Sequence, residues 1–264
     1  MTSEAASERN ADPSGGSVIA FFSPCRDREG PRLLWRLTER WAARGLRVAL
    51  ADGDLNLGGS LADLAGCPPD PNAGDAILGG RAVSALQVSA VTIPVRAGVR
   101  LLAAPTRPDR ALALEGAPFG RLLRRLRCGF DLIAVDLPPR LDATTVAACC
   151  EADRVVILAG RDEPDRARLA RALALLEVAG LGRDSLSWLA LEPAQGDSAW
   201  SELFGKPPLG EVDGGAPTTA GGRLDDIADQ LVARAAEGAP MHAGDEDYDT
   251  ARATLPAFRH FVHT

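Results

Sequence analysis

Short continuous apolar runs recur along this chain, and each gives way to a stretch with helical spacing. Val18-Ile-Ala-Phe-Phe22 is followed by turn residues, as a strand buried on both faces would be. Leu33, Leu34, Leu37 and Trp41 then repeat at three- and four-residue intervals, one face of a helix that Gly45 closes. Arg47 to Asp52 reads as the second strand, with further strands at Val99 to Ala104, Asp131 to Val135, Arg154 to Ala159 and Leu186 to Leu191. Helical segments are expected over 117–127, 143–151, 163–179 and 222–236. Alternating β and α units imply an α/β fold, a mostly parallel sheet with helices on both faces. Ligands of such a sheet bind at the carboxyl ends of its strands. There Ser23–Arg32, Asp52–Gly59 and Asp136–Leu141 converge.

The 264 residues suit one large α/β domain or two small ones. No run of about 18 apolar residues occurs, so no transmembrane helix is expected. Met1 to Gly16 is rich in Ser, Ala, Glu and Asp and lacks the basic-then-apolar order of a signal peptide, which predicts a disordered leader on a cytoplasmic protein. Cys67 to Gly74, with three prolines, and the Gly/Ala/Thr-rich stretch Gly210 to Gly222 read as loops or linkers. Residues 237–264 form a flexible acidic tail, Asp245-Glu-Asp-Tyr-Asp249, ending in an apolar peptide, Leu255 to Val262.

The formal charge of −7 argues against general nucleic-acid binding. Cys25, Cys67, Cys128, Cys149 and Cys150 form no CxxC pair, and the last two sit in an alanine-rich stretch that reads as buried packing. His242, His260 and His263 match no zinc spacing. Arg121, Arg124, Arg125 and Arg127 fit either an acidic partner or a solvated helix face opposite Leu122, Leu123 and Leu126.

Three segments, in order, resemble the MinD/ParA-type P-loop superfamily: Ser17–Leu34, Val48–Gly66 with its Asp52-Gly-Asp54, and Phe130-Asp-Leu-Ile-Ala-Val-Asp-Leu-Pro-Pro139, similar to a Walker B strand. Asp153-Arg-Val-Val-Ile-Leu158 resembles the next strand of that superfamily, and the resemblance spans residues 17 to 236. Gly98 to Pro105, followed by Asp131…Asp136-Leu-Pro, resembles the CpaE/TadZ branch, which positions pilus assembly machinery. Ser23-Pro24 and Gly74-Asp-Ala-Ile-Leu-Gly-Gly-Arg81 resemble instead the bacterial tyrosine kinases of polysaccharide export, which carry a C-terminal tyrosine cluster; this chain has the single Tyr248.

The resemblance implies an ATP site with Mg²⁺, held by a glycine-rich loop, its lysine and the following hydroxyl. The corresponding loop, Ser23-Pro-Cys-Arg-Asp-Arg-Glu-Gly-Pro-Arg32, has one glycine and no lysine, and the only lysine of the chain is Lys206. The lysine position falls at Gly30 or Pro31, and the hydroxyl position at Pro31 or Arg32. A second lysine falls at about Cys25, and an adenine-reading Asn is replaced by Leu191-Glu192-Pro193. Arg26, Arg28 and Arg32 attract phosphate, but a planar fork does not reproduce a compact ammonium. Gly30, Asp52, Asp54 and Asp136 are therefore expected to form a vestigial nucleotide site.

The expected function is that of a non-catalytic MinD/ParA-like protein, a degenerate ATPase without the P-loop lysine. It would serve as a spatial or assembly factor for an envelope machine such as a pilus, recruited to the inner face of the membrane by protein partners. Homodimerisation is implied by the resemblance alone. Two alternatives stand beside it: an active ATPase or tyrosine-kinase relative using arginines, with ATP and Mg²⁺ as cofactors, and an interaction module acting through the C-terminal tail.

Overall fold

The computed structural model describes residues 15–24, 29–56, 60–77, 89–159, 163–191, 202–212 and 221–237. The expected leader (but for Gly15 and Gly16), the tail after Glu237 with Tyr248 and the three histidines, and residues 25–28 of the phosphate-loop segment lie outside the described residues.

Among the described residues eight strands form one sheet: β1 (Ser17–Phe22), β2 (Val48–Asp52), β3 (Ile93–Arg96), β4 (Val99–Leu102), β5 (Leu132–Leu137), β6 (Arg154–Ala159), β7 (Leu186–Leu191) and β8 (Glu211–Val212). Their order is β3-β4-β2-β5-β1-β6-β7-β8, and every pairing is parallel except β3 with β4. The expected α/β fold with a mostly parallel sheet is therefore the one observed.

The sheet is covered on both sides because its central strands are apolar at nearly every position and side chains alternate between faces. Val18, Ala20 and Phe22 of β1 enter one core, with Ile133, Val135, Val155 and Ile157. Ile19 and Phe21 enter the other, with Val48, Leu50, Val156 and Leu158. The first core is closed by α3 (Pro108–Leu114), α4 (Ala117–Leu126), α5 (Ala143–Glu151) and α6 (Glu163–Val178). The second is closed by α1 (Glu29–Ala43), α2 (Ser60–Ala65) and α7 (Gly221–Glu237). Trp41, fully buried on α1, donates its indole N–H to the Ala228 carbonyl of α7 at 3.0 Å, so the largest side chain of that core leaves no polar atom unpaired.

At the amino edge of the sheet a buried ion pair sets how β1, β6 and α4 meet. Asp153 Oδ2 accepts from the Val18 backbone N–H and from Arg127 Nη1, both at 2.7 Å. Arg127 also donates to the carbonyls of Gly16 and Glu151. Gly16, within the segment expected to be a leader, is thus pinned against the domain. Arg124 pairs with Glu151. Two of the four arginines first read as a partner site or solvated face are therefore consumed internally.

Two further expectations change. Cys67–Gly74 is a packed loop: Asn72 bridges to Ala103, Ala73 is buried, and Gly74 offers its carbonyl to Arg110. Within the Gly210–Gly222 stretch, Glu211–Val212 joins the sheet as β8 and α7 begins at Gly221, with 213–220 outside the described residues.

Removing Asp153 strands a buried guanidinium. The Asp153→Ala variant is expected to lose about 3–5 kcal/mol in urea denaturation. A loss below about 0.5 kcal/mol, the range of surface substitutions, would contradict this role.

Candidate functional site

Parallel register brings the sequence-expected residues to one edge of the sheet. Asp52 ends β2 and lies directly across from Asp136 of β5, which in turn pairs with Phe21 of β1. Asp52 is fully buried and Asp136 half-buried. The Gly53 N–H donates to the Asp136 carbonyl at 2.8 Å, and a Cβ on Gly53 would meet that oxygen at 2.7 Å, so only glycine allows the two strand ends this approach. Asp52 then works locally: its Oδ1 accepts the Asp54 backbone N–H at 3.1 Å, closing the turn that leaves β2.

Asp54 is engaged by a residue the sequence reading did not single out. Arg140, in the loop after β5, donates from Nη2 to Asp54 Oδ1 at 2.9 Å and from Nε to Asp142 Oδ2 at 2.8 Å. Asp142 is the N-cap of α5, and its other oxygen accepts the Thr145 N–H at 2.9 Å. Burial pulls the Arg140 pKa down, but the hydrogen bond to Asp142 and the charge of Asp54 outweigh it, and the net shift is upward. The guanidinium is a fixed cation between two carboxylates. The Arg140-x-Asp142 spacing after Asp136 was visible in the sequence, but its partner Asp54 lies 86 positions away.

Gly30 falls in the first turn of α1, buried, where a Cβ would stand 3.3 Å from Leu158 Cδ1. Its small size lets α1 approach β6. Pro31 follows it in the same turn, a position with no N–H to offer an anion. Of the four expected site residues, Asp52, Asp54 and Asp136 gather at the ends of β2 and β5, and Gly30 lies at the start of the helix that follows β1.

Lys206 lies at the opposite edge. Its ammonium donates to the carbonyls of Arg183, at 2.7 Å, and Leu186, the first residue of β7. Burial lowers its pKa, and the Arg154 charge lowers it further. Arg154 reaches the Asp184 and Arg234 carbonyls from the same edge. The only ammonium side chain of this protein thus serves backbone carbonyls at the amino ends of the strands, a full sheet height from Asp54 and Asp136.

Among the described residues no group of three or more His, Cys, Asp or Glu is arranged to hold a metal ion. No described helix is long and apolar enough to cross a membrane.

The fold is that of the MinD and ParA ATPases. A ParA family ATPase from Chlorobium tepidum TLS superposes with a TM-score of 0.67 at 14% identity, over 89% of this chain and 98% of that one. MinD from Pyrococcus horikoshii OT3, complexed with Mg-ADP, gives 0.68 at 14% identity, over 85% and 99% of the two chains. Cobyrinic acid a,c-diamide synthase from Mycobacterium smegmatis, with bound ATP analog and magnesium, gives 0.62 at 19%, over 86% and 98%. No family model matches this chain, and neither does any curated protein.

Cys149 and Cys150 belong to the packing. Burial pushes the Cys149 thiol far above its ordinary value, and burial with the Glu151 charge pushes Cys150 up to about 11. A raised thiol pKa keeps the group protonated, hence unreactive, until pH approaches that value. At pH 8 a thiol reagent is expected to modify exposed Cys128 in the native protein and leave Cys149 and Cys150 untouched until denaturant is added. Rapid native labelling of Cys149, read by peptide mass, would contradict this packing.

Proposed function

We propose that this chain is a scaffold with the MinD/ParA-type fold, acting through protein contacts and not through ATP turnover. The observation that carries the reading is the placement of Lys206. A P-loop lysine must reach the terminal phosphates at the carboxyl edge of the sheet, and the only lysine here is held by carbonyls at the amino edge. Two further placements support it. Asp54 is neutralised by Arg140, and Pro31 removes a backbone donor from the first turn of α1. Among the described residues, this arrangement does not fit a magnesium-nucleotide.

The role follows from what the scaffold keeps. Residues 17–236 retain a sheet that presents loops and helix faces to partners, and we assign the chain to the spatial or assembly factors of an envelope machine, in the manner of the CpaE/TadZ branch its sequence resembles. A pilus is the machine that branch implies, and homodimerisation is part of the same proposal. The nucleotide complexes formed by the MinD and cobyrinic acid synthase relatives named above are the activity this chain has set aside.

Isothermal calorimetry with Mg-ATP on the full chain tests this directly. The expected result is no saturable heat at millimolar nucleotide, since each missing charge-assisted contact costs on the order of 1.5–3 kcal/mol. Micromolar binding would overturn the proposal and favour an ATPase that uses arginines in the loop.

A further inference from the structure

We propose that Arg140 is a built-in strap that holds the loop after β2 to the start of α5, setting that loop by an internal cation where a ligand-responsive loop would be left to move. The inference rests on the reading of the site given above and names how the site is regulated: it is preset.

The geometry is a relay of short contacts across two loops. Thr145 N–H, at the start of α5, donates to one oxygen of Asp142, and Arg140 Nε donates to the other. Both oxygens of Asp142 are committed, so the helix start fixes where the guanidinium points. Its second edge, through Nη2, takes Asp54, and the Asp54 backbone donates back to Asp52 at the end of β2. A planar fork serves two carboxylates at once, which a point charge does not. The side chains of Arg140, Asp54 and Asp142 are 39%, 25% and 20% exposed. Such a half-buried network of charge-assisted bonds holds better than an isolated surface pair.

A loop that answers to a ligand needs two arrangements close in free energy, so that differential binding selects between them. Here the cation is part of the chain and present at all times. Leu55, buried next to Asp54, packs in the first core, and Leu61 and Ala62 of α2 pack in the second. Setting Asp54 therefore also sets how the chain leaves β2.

Hydrogen–deuterium exchange on the full chain tests the strap. Arg140→Gln is expected to speed exchange roughly three- to tenfold at residues 52–56 and 60–65, the effect of losing a partly exposed ion pair, with β1 and β6 unchanged. Asp54→Asn, which removes the charge and keeps the shape, is expected to speed the same segments. The double variant should be no faster than the faster single, because the two residues share one interaction. Arg140→Lys should recover part of the protection. Wild-type exchange at 52–65 in Arg140→Gln, or additive effects in the double variant, would overturn the strap. Mg-ATP added to the wild type separates the two proposals: slowed exchange under nucleotide would refute the proposed function, while the strap stands or falls on the variants alone.

Discussion

A parallel sheet buried on both faces admits variation only at its edges, and that constraint organises this protein. Strands β1, β2, β5 and β6 are apolar at nearly every position, with alternate side chains feeding two separate cores. The buried carboxylate of Asp153 is paired with Arg127 and the Val18 N–H. The chemistry of the molecule is pushed to the two ends of the strands. The two ends have been built for different purposes.

At the amino edge, cations satisfy backbone carbonyls. Arg127, Arg154 and Lys206 each take carbonyls that a strand entry or a helix end leaves without a partner. At the carboxyl edge, an arginine satisfies the carboxylates of Asp54 and Asp142, while Asp52 closes a local turn and Asp142 caps α5. A MinD/ParA-type fold survives this exchange because its stability comes from the two cores. The phosphate-binding edge contributes little to them. Under the proposed function, the loss of nucleotide contacts would leave these layers intact.

Most of the fold was legible because periodicity reports burial. The strands at 17–22, 48–52, 154–159 and 186–191 are continuous apolar runs, and the helix at 29–43 shows its buried stripe. The edge strand β3 was not legible: Ile93-Pro-Val-Arg96 contains a proline, alternates half-buried with exposed residues, and pairs on one side only. Strand β8 is two residues long. Helix α3 buries only Ala111 and Leu114, while Leu112 faces solvent and blurs the stripe. The acidic residues of the site were legible through motif, Asp54 and Asp136 among them. Arg140 was not, because a contact between loops 86 positions apart leaves no local pattern. The arginine-rich helix end misled for the same reason: the partners of Arg124 and Arg127 sit on a different element.

The central claim is that an arginine of the chain itself holds the carboxyl edge where a magnesium-nucleotide would be held in a working ATPase. A crystal grown with magnesium and a non-hydrolysable triphosphate addresses it most directly. The account predicts Arg140 bridging Asp54 and Asp142, with no triphosphate at the start of α1. Triphosphate density at the first turn of α1, with Arg140 swung away from Asp54, would contradict it.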